Sequence, residues 1–375
     1  MHKGLRIMLC LAAALLFTGC WDKMELEDRG FVISIGIDKA GGESAFDLTM
    51  TLPNVAAIAG KDGAEGENAR TLLHAQADAL SAAMHKADAQ TGRSLHYGHT
   101  KIAVFGADFL SDAELFKQAI NALDRSSEVS QKLILLATED TAADILAAKS
   151  PNEPLIGTFV SNFYKNNADN LHITVAMDLE QLLLNLNTTG HAILPRITVE
   201  DGDIRLSGAA ILKNAALTGW LNETQTRGLL WLRGEGEGTL LTVPYDDPAT
   251  ARNRNVPFRT THCTRTLAFR DTEDGLVCRL TLHAMGSIEE MTVTPDMLIP
   301  NDTLQTLSRQ FEREITTELQ QAFTLFQTEY GIDADHLLRE LYKQNPNLYR
   351  QYADDLDAAF RQMTLETDIR VAITR

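Results

Sequence analysis

This sequence is short of basic residues, and it lacks the residue patterns of the common enzyme sites. Its 375 residues contain 34 Lys and Arg against 51 Asp and Glu, which gives a formal net charge of −17. A chain this acidic repels phosphate backbones, so nucleic acid is excluded as a partner class. The patterns G-x-S-x-G, H-E-x-x-H and C-x-x-C do not occur. The sequence therefore predicts a protein that is not an enzyme and that carries no cofactor.

Apolar runs long enough to span a membrane are also missing. The most apolar segment of the sequence is short and lies at the N-terminus. Lys3 and Arg6 form a basic start, residues 7–17 are apolar, and Thr18-Gly19 precede Cys20. The run is too short to cross a hydrocarbon core, which needs about 20 residues in a helix. A basic start, a short apolar run and small residues in this order are typical of a secretory signal peptide.

A cysteine at the cleavage point predicts lipidation. We expect residues 1–19 to be removed and the Cys20 thiol to carry a diacylglyceryl group, leaving 356 residues with a formal charge of −19. The acidic body is repelled by an anionic bilayer, so attachment to the membrane depends on the lipid chains. An ordinary export signal and an uncleaved anchor are the alternatives.

The two remaining cysteines of the exported chain, Cys263 and Cys278, lie in two strand-like runs joined by a turn at 271–275. In a simple hairpin, Cys263 faces a residue near His283 and Cys278 faces one near Ala268. The offset is about five residues, or roughly 17 Å along a strand, which is too far for a disulfide. We expect two free or buried thiols.

The N-terminal half alternates between helical and strand-like patterns. Residues 31–38 and 45–52 predict strands, and residues 54–69 predict an exposed loop. Apolar residues at helical spacing from Ala69 to Ala87 predict a helix. Ser111, with Glu114 completing a capping box, is the expected N-cap of a further helix. Further elements are expected at 101–106, 111–125, 132–137, from 141 onward, 155–164 and 178–186.

The C-terminal half is strand-rich and includes one long helix. Strands are predicted at 204–212, 216–221, 239–243, 257–270, 276–287 and 364–373, with a short helix near 222–232. Apolar residues recur every three or four positions from Leu304 to Tyr330, which predicts a long helix with one buried face. Gly331 is expected to end it and Asp333 to start the next.

These patterns predict an α+β (mixed α/β) fold with several domains, in which antiparallel-rich sheets pack against helices. The expected division is a signal peptide at 1–19, an N-terminal mixed α/β region at 20–200 and a C-terminal α+β region at 201–375. A further split near residue 300, into a strand-rich part and a long-helix part, stays open.

Two local clusters contain residue types that occur in binding sites. His96 and His99 are three residues apart, but a metal site needs two more ligands, and a polar loop with hydrogen-bonded imidazoles is the favoured interpretation. The glycine-rich stretch 234–238 has carboxylates where a phosphate loop has Lys and Ser or Thr, so it predicts a flexible acidic turn. No catalytic, metal or cofactor residues are assigned.

Several segments together resemble one known family. They are Gly19-Cys20-Trp21-Asp22, Glu25, Gly30-Phe31-Val32, Gly36-Ile37-Asp38-Lys39-Ala40, His99-Thr100-Lys101, Leu206-Ser207-Gly208-Ala209-Ala210-Ile211-Leu212-Lys213, Gly219-Trp220-Leu221, Glu223-Thr224, Gly228-Leu229-Leu230-Trp231-Leu232, Pro346 and Phe360. In this order they resemble the Ger(x)C lipoproteins, the C subunits of spore nutrient-germinant receptors. Tyr349 is a departure, because the family usually has Trp there.

The resemblance implies three packed domains, lipid-anchored through Cys20 on the outer face of the cell membrane, here the inner membrane of the spore. It further implies a non-catalytic subunit required for germination that assembles with integral-membrane A and B subunits. A lipoprotein that captures a small molecule between its domains is the alternative, which a deep apolar cleft with converging polar groups favours. A wall-modifying enzyme is the third possible function. It would require a cleft that contains acidic side chains with shifted pKa values.

Overall fold

Two sheets of eight and four strands organise the chain. In this computed structural model the described residues are Gly4 and residues 28–54, 69–148, 153–166, 173–247, 252–291 and 299–374. Cys20 and nearly all of the loop predicted at 54–69 lie outside them. A small parallel pair, β1 (Arg29–Phe31) and β5 (Ser94–His96), accompanies the two sheets.

The eight-stranded sheet is parallel in its centre and antiparallel at both ends. Its strands are β2 (Ser34–Lys39), β3 (Phe46–Pro53), β4 (Arg70–Ala77), β6 (Ile102–Gly106), β7 (Ile134–Thr138), β8 (His191–Glu200), β9 (Asp203–Lys213) and β10 (Ala216–Leu221). They lie in the order β10-β9-β8-β7-β6-β2-β3-β4. The central strands β2, β6, β7 and β8 are buried on both faces, as parallel strands usually are.

Helices cover both faces of this sheet. The helices of this half are α1 (Leu80–Asp88), α2 (Ala107–Leu110), α3 (Ala113–Arg125), α4 (Ala142–Ala147), α5 (Ile156–Asn166) and α6 (Leu179–Thr188). Helices α1, α2, α3 and α6 contribute to one apolar core. Helices α4 and α5 contribute to a second core, together with Ile102, Val104 and Leu136.

The helix predicted from Ala69 to Ala87 is wrong in its first half. Arg70–Ala77 is strand β4, paired antiparallel with β3, and only Leu80–Asp88 is helical. Leu73, Ala75 and Ala77 are buried while the residues between them are exposed. This alternation has a period of two, and the apolar residues on the helix that follows made the whole run resemble a helical stripe.

The predicted cap at Ser111 is also wrong. The N-cap of α3 is Asp112, whose side chain accepts a hydrogen bond from the amide of Leu115. Ser111 instead ends α2 and donates its hydroxyl to the carbonyl of Ala107. Asp112 also lies 3.0 Å from Lys39, and this pairing lowers the pKa of the Asp112 carboxyl. The element expected from residue 141 onward is a helix, Ala142–Ala147, and Thr141 is its N-cap.

Asp38, near the end of β2, is hydrogen-bonded to the start of α4. In the sequence it lies 104 residues before Ala142. Its two carboxylate oxygens accept hydrogen bonds from the amides of Ala142 and Ala143, at 2.8 and 3.0 Å. Two of the unpaired amides at this helix start are thereby satisfied. Burial raises the pKa of Asp38, and the two amide donors partly oppose that effect. A Cβ at Gly106 would lie 2.2 Å from Asp38, so only glycine leaves room for this contact.

The four-stranded sheet consists of β11 (Leu240–Asp247), β12 (Arg252–Thr272), β13 (Gly275–Ile288) and β14 (Thr364–Thr374) in that order. The long β12–β13 hairpin places Cys263 opposite Ala284 and Cys278 opposite Phe269. Each cysteine pairs with a residue one position later than predicted. The two cysteines are therefore not opposite each other, as expected. Both thiols are free and buried, and burial raises the pKa of Cys263 to about 11 and that of Cys278 to about 12.

The described residues of this half also form five helices: α7 (Glu223–Arg233), α8 (Asn301–Leu325), α9 (Leu337–Gln344), α10 (Pro346–Tyr352) and α11 (Leu356–Gln362). A π-helical turn, Phe326–Tyr330, extends α8, and Gly331 ends it with a positive φ of 58°, as predicted. Phe311, Ile315 and Leu319 on α8 pack against one face of the four-stranded sheet. The Phe258 and Phe311 rings stack with centroids 4.8 Å apart.

The predicted α+β class is confirmed. The eight-stranded sheet includes β9 and β10, so it continues past residue 200 to Leu221. One apolar core contains Ile193, Ala209 and Ile211 of the large sheet together with residues of α7, α8 and the smaller sheet. The limits of the domains, as expected from the sequence, stay a prediction.

Candidate functional site

The histidines weighed as metal ligands have other neighbours in the structure. The His99 ring lies edge-on to Phe31 with centroids 5.0 Å apart, and His96 Nδ1 lies 3.8 Å from the Glu128 carboxylate. Across the described ranges, no three His, Cys, Asp or Glu side chains are grouped so as to hold a metal ion. Nor is any helix in these ranges long and apolar enough to span a bilayer.

The glycine-rich stretch 234–238 is a fixed connection and differs from the flexible turn that we expected. Gly234 ends α7 in the left-handed conformation at φ 72°. A Cβ at Gly236 would lie 1.9 Å from the Trp231 ring, so the backbone passes directly over the indole. The amide of Gly238 donates to the carbonyl of Thr260 on β12. These contacts attach the end of α7 to the smaller sheet.

The residues of the segment 206–232 join the two halves of the molecule. Gly208 has a φ of 77°, and a Cβ there would lie 2.3 Å from the carbonyl of Leu221. Ser207 on β9 donates its hydroxyl to Glu223 in the first turn of α7, at 2.8 Å. Lys213, at the end of β9, donates to the carbonyls of Tyr330 and Gly331. These contacts fix α7 and the end of α8 against the edge of the large sheet.

Helix α7 crosses α8 at close range, with a buried carboxylate at the crossing. A Cβ at Gly228 would lie 2.4 Å from the carbonyl of Glu318. Glu318 is 3% exposed, and its side chain accepts from the Arg227 guanidinium and from Trp231 Nε1, the latter at 2.9 Å. The hydrogen bonds to Glu318 raise the pKa of Arg227. The buried charge is thus paired and hydrogen-bonded, as an interior carboxylate requires.

A second charged cluster lies where α7 ends. Arg265 of β12 donates to the carbonyl of Leu232 and to the Asp335 carboxylate, and Arg233 donates to the carbonyl of Ala334 at 2.9 Å. Burial raises the pKa of Asp335 to about 8, and the two arginines oppose it. The cluster therefore binds the segment before α9 to both α7 and the smaller sheet.

Asp333 and His336, next to this cluster, set the start of α9. The helix starts at Leu337, and the Asp333 carboxylate accepts from the amides of Leu337 and Leu338. Asp333 thus caps the helix from four residues before its start, a little earlier than a usual N-cap. Burial raises the pKa of Asp333 to about 6, and burial next to Arg233 and Arg339 lowers that of His336 to about 4.

Among the described residues, two cavities adjoin these elements, and a third lies between helices of the N-terminal half. A cavity of about 500 Å³ lies beside the Arg265–Asp335 pair and reaches α6. A neighbouring cavity of about 290 Å³ is lined by His191, Arg339, Tyr342, Tyr349 and Phe360. The largest, about 930 Å³, is an open groove between α1 and α3 with Phe46, Leu80 and Tyr97 at its base.

Sequence reasoning missed the polar residues at these junctions. Arg227 and Glu318 are 91 positions apart, and Arg265 and Asp335 are 70 apart, so no local spacing connects them. One signal was available for Glu318: it lies between Ile315 and Leu319 in the apolar stripe of α8, where a carboxylate is buried and needs a partner. Cys20, the only assigned site residue, lies outside the described residues.

Comparison with known proteins agrees with the resemblance seen in the sequence. Residues 22–199 match the family described as "Spore germination protein N-terminal domain", and residues 207–375 match "Spore germination B3/ GerAC like, C-terminal". Spore germination protein YndF of Bacillus subtilis is 23% identical over 402 aligned residues, covering 98% of this chain and 95% of that protein. Spore germination protein B3 of the same organism is 20% identical, covering 96% and 94%.

A solved structure has the same fold. The crystal structure of the GerBC protein superposes with a TM-score of 0.60 at 17% identity, covering 91% of this chain and 97% of that one. The two matched regions together extend from residue 22 to residue 375. The chain therefore belongs to the Ger(x)C family, the C subunits of spore germination receptors.

Proposed function

We propose that this chain is a non-catalytic, lipid-anchored subunit of a nutrient-germinant receptor. The observation that carries the proposal is the match to the family over both halves of the chain. The buried charged groups support it, because Glu318 is engaged by Arg227 and Trp231, and Asp333 by two amides. Groups held in this way stabilise a scaffold.

The anchor of the proposed subunit is the lipid on Cys20, and its place is the outer face of the membrane. The chain between Cys20 and Gly30 reaches at most about 30–35 Å when fully extended. A body held so close to the bilayer is confined near its neighbours, which raises its effective concentration there. We propose integral-membrane A and B subunits as those neighbours.

A second candidate function is capture of a small molecule, and the 290 Å³ cavity is the observation that favours it. Aromatic side chains, Tyr342, Tyr349 and Phe360, line the cavity beside the polar groups of His191 and Arg339. Apolar walls with a few converging polar groups are typical of ligand sites. Calorimetric titration of the protein with nutrient germinants decides between the two: tight binding that is lost in Tyr349→Ala favours capture.

Replacement of Cys20 by Ala tests the anchored subunit. We expect wild-type protein from spore membranes to begin at Cys20 and to carry the mass of a diacylglyceryl group. Cys20→Ala should leave the membrane fraction and lower the response to nutrients, because confinement next to the partners is lost. An unmodified wild-type chain that retains Met1 would contradict the anchor. Cys10→Ala, within the expected signal peptide, is the control and should not alter the mature protein.

A further inference from the structure

Among the described residues, helices cover one face of the four-stranded sheet and not the other. Along β12, Cys263, Arg265, Leu267 and Phe269 point toward α7 and α8 and are buried or half-buried. The alternate residues His262, Thr264, Thr266, Ala268 and Arg270 are all exposed. The residues paired with them on β13 and β14 point the same way, and His283, Met285, Arg370 and Ala372 among them are exposed. We call the outward-pointing side of these four strands the outer face.

The outer face carries an apolar centre. Within the described ranges, the large hydrophobic side chains that are exposed are Leu184, Leu240, Met285 and Tyr342. Leu240 and Met285, 46% and 42% exposed, both lie on the outer face. Met285 pairs with His262 on one side and with Ala372 on the other. Leu240 pairs with Arg259, which pairs with Ser287, two residues from Met285 on the same face.

Histidine and arginine side chains surround this centre. His262 and His283 flank Met285, and Arg370 is opposite His283 in β14. Arg370 lies 3.0 Å from Asp368, and Arg259 lies 2.7 Å from Glu289, so the nearest carboxylates are bound to arginines. In a chain with 51 acidic and 34 basic residues, this is an acid-poor surface. An apolar centre within a polar rim is the usual anatomy of a protein interface.

We propose that the outer face docks another polypeptide, whose own surface is an apolar patch rimmed by carboxylates. The proposal rests on the proposed function in one respect: it takes this partner to be a component of the receptor. Carboxylates on the partner complement the imidazoles and guanidiniums around Met285, and its apolar side chains cover Met285, Leu240 and Ala372.

Two other occupants fit the same surface less well. A second copy of the chain would oppose His262, His283 and Arg370 to their own equivalents, and it would bring together two chains that each have more acidic than basic residues. A bilayer is disfavoured because the described residues of the outer face include no Trp, Tyr or Phe, the aromatic side chains that anchor proteins at membrane interfaces.

Site-specific cross-linking in spores tests the proposal. A photoreactive amino acid replaces Met285 in one full-length variant and Leu184 in a matched control, since Leu184 is equally exposed but lies on α6. We expect cross-links from position 285, but not from 184, to peptides of one receptor subunit that contain Asp or Glu. Met285→Glu and Ala372→Glu should lower recovery of that subunit at least tenfold, while Leu184→Glu leaves it unchanged.

The other outcomes overturn the proposal in distinguishable ways. If wild-type chain recovers the receptor subunits and both outer-face variants recover them equally well, the surface is wrong and the receptor function stands. If the wild-type chain recovers no receptor subunit, both the docking surface and the proposed receptor function are wrong. Cross-links from position 285 to a second copy or to lipid assign the outer face to that occupant instead. Unchanged thermal unfolding of Met285→Glu and Ala372→Glu shows that a lost interaction reflects the surface and not misfolding.

Discussion

The carboxylate of Glu318 on α8 accepts a hydrogen bond from the indole nitrogen of Trp231 on α7 at 2.9 Å. Trp231 is 0% exposed and Glu318 only 3%. The same carboxylate pairs with Arg227, one helical turn before Trp231. A single buried acid therefore determines how two helices cross, at the place where the two halves of the molecule meet.

Removal of this acid should destabilise the protein strongly. Glu318→Ala leaves Arg227 and the Trp231 N–H without their acceptor in a nearly dry site. Loss of one partner of a buried pair costs about 3–5 kcal/mol, and we expect the low end because the Arg227 side chain is 21% exposed. Urea unfolding measures the change. Glu314→Ala, on the same helix, is the control, and an equal loss there would show that the pairing is unimportant.

Gly228→Ala tests the close approach of the same helices. The new methyl group meets the carbonyl of Glu318 at 2.4 Å, so the helices must separate. Such overpacking costs about 1–3 kcal/mol, although alanine favours helix formation elsewhere. Gly41→Ala has no atom within 4 Å of its new methyl group and should change the free energy of unfolding little. Equal stability of the two variants would contradict the crossing geometry.

The free energy of unfolding should fall as pH rises, because Asp335 is buried. Burial raises its pKa to about 8, so the folded state holds the proton that the unfolded state releases near pH 4. The contribution is complete at low pH and is lost as pH increases toward about 8. Asp335→Asn should flatten the decline in unfolding free energy between about pH 4 and pH 8. Asp203→Asn, at an exposed position, should keep the wild-type slope, and a parallel slope in Asp335→Asn would refute the assignment.

Cys263 and Cys278 should stay reduced and react slowly. Both thiols are buried, and their raised pKa values disfavour the reactive thiolate. In denaturant without reductant, an alkylating reagent should label both cysteines within the dead time of the experiment. In the native protein it should label neither cysteine in the same time. A mass two hydrogens lower, with no labelling in denaturant, would show that a disulfide forms.

The sequence predicted those elements whose pattern is unambiguous. The stripe from Leu307 to Phe326 has a single period and is a buried helix face in the structure. Strand β4 was missed because Leu72 and Leu73 continue, at helical spacing, into the apolar positions of α1. The polar junctions could not be predicted, because pairs such as Arg265 and Asp335 come together only through the fold of the chain.

The outer face was beyond sequence reasoning for a related reason. Alternation along β12 and β13 indicates which residues share a face, but not which face the helices cover. Two helices distant in the chain, α7 and α8, decide that, and their packing places Met285 in solvent and Leu282 in the core.

Germination of spores that lack this chain tests the central claim most directly. We expect deletion to abolish the response to the nutrient that the receptor detects, and the wild-type gene to restore it, while a trigger that bypasses nutrient receptors still works. Release of spore refractility, followed optically after nutrient addition, measures the response. Deletion spores that respond to every nutrient as fast as the wild type would contradict the assignment of this chain as a receptor subunit.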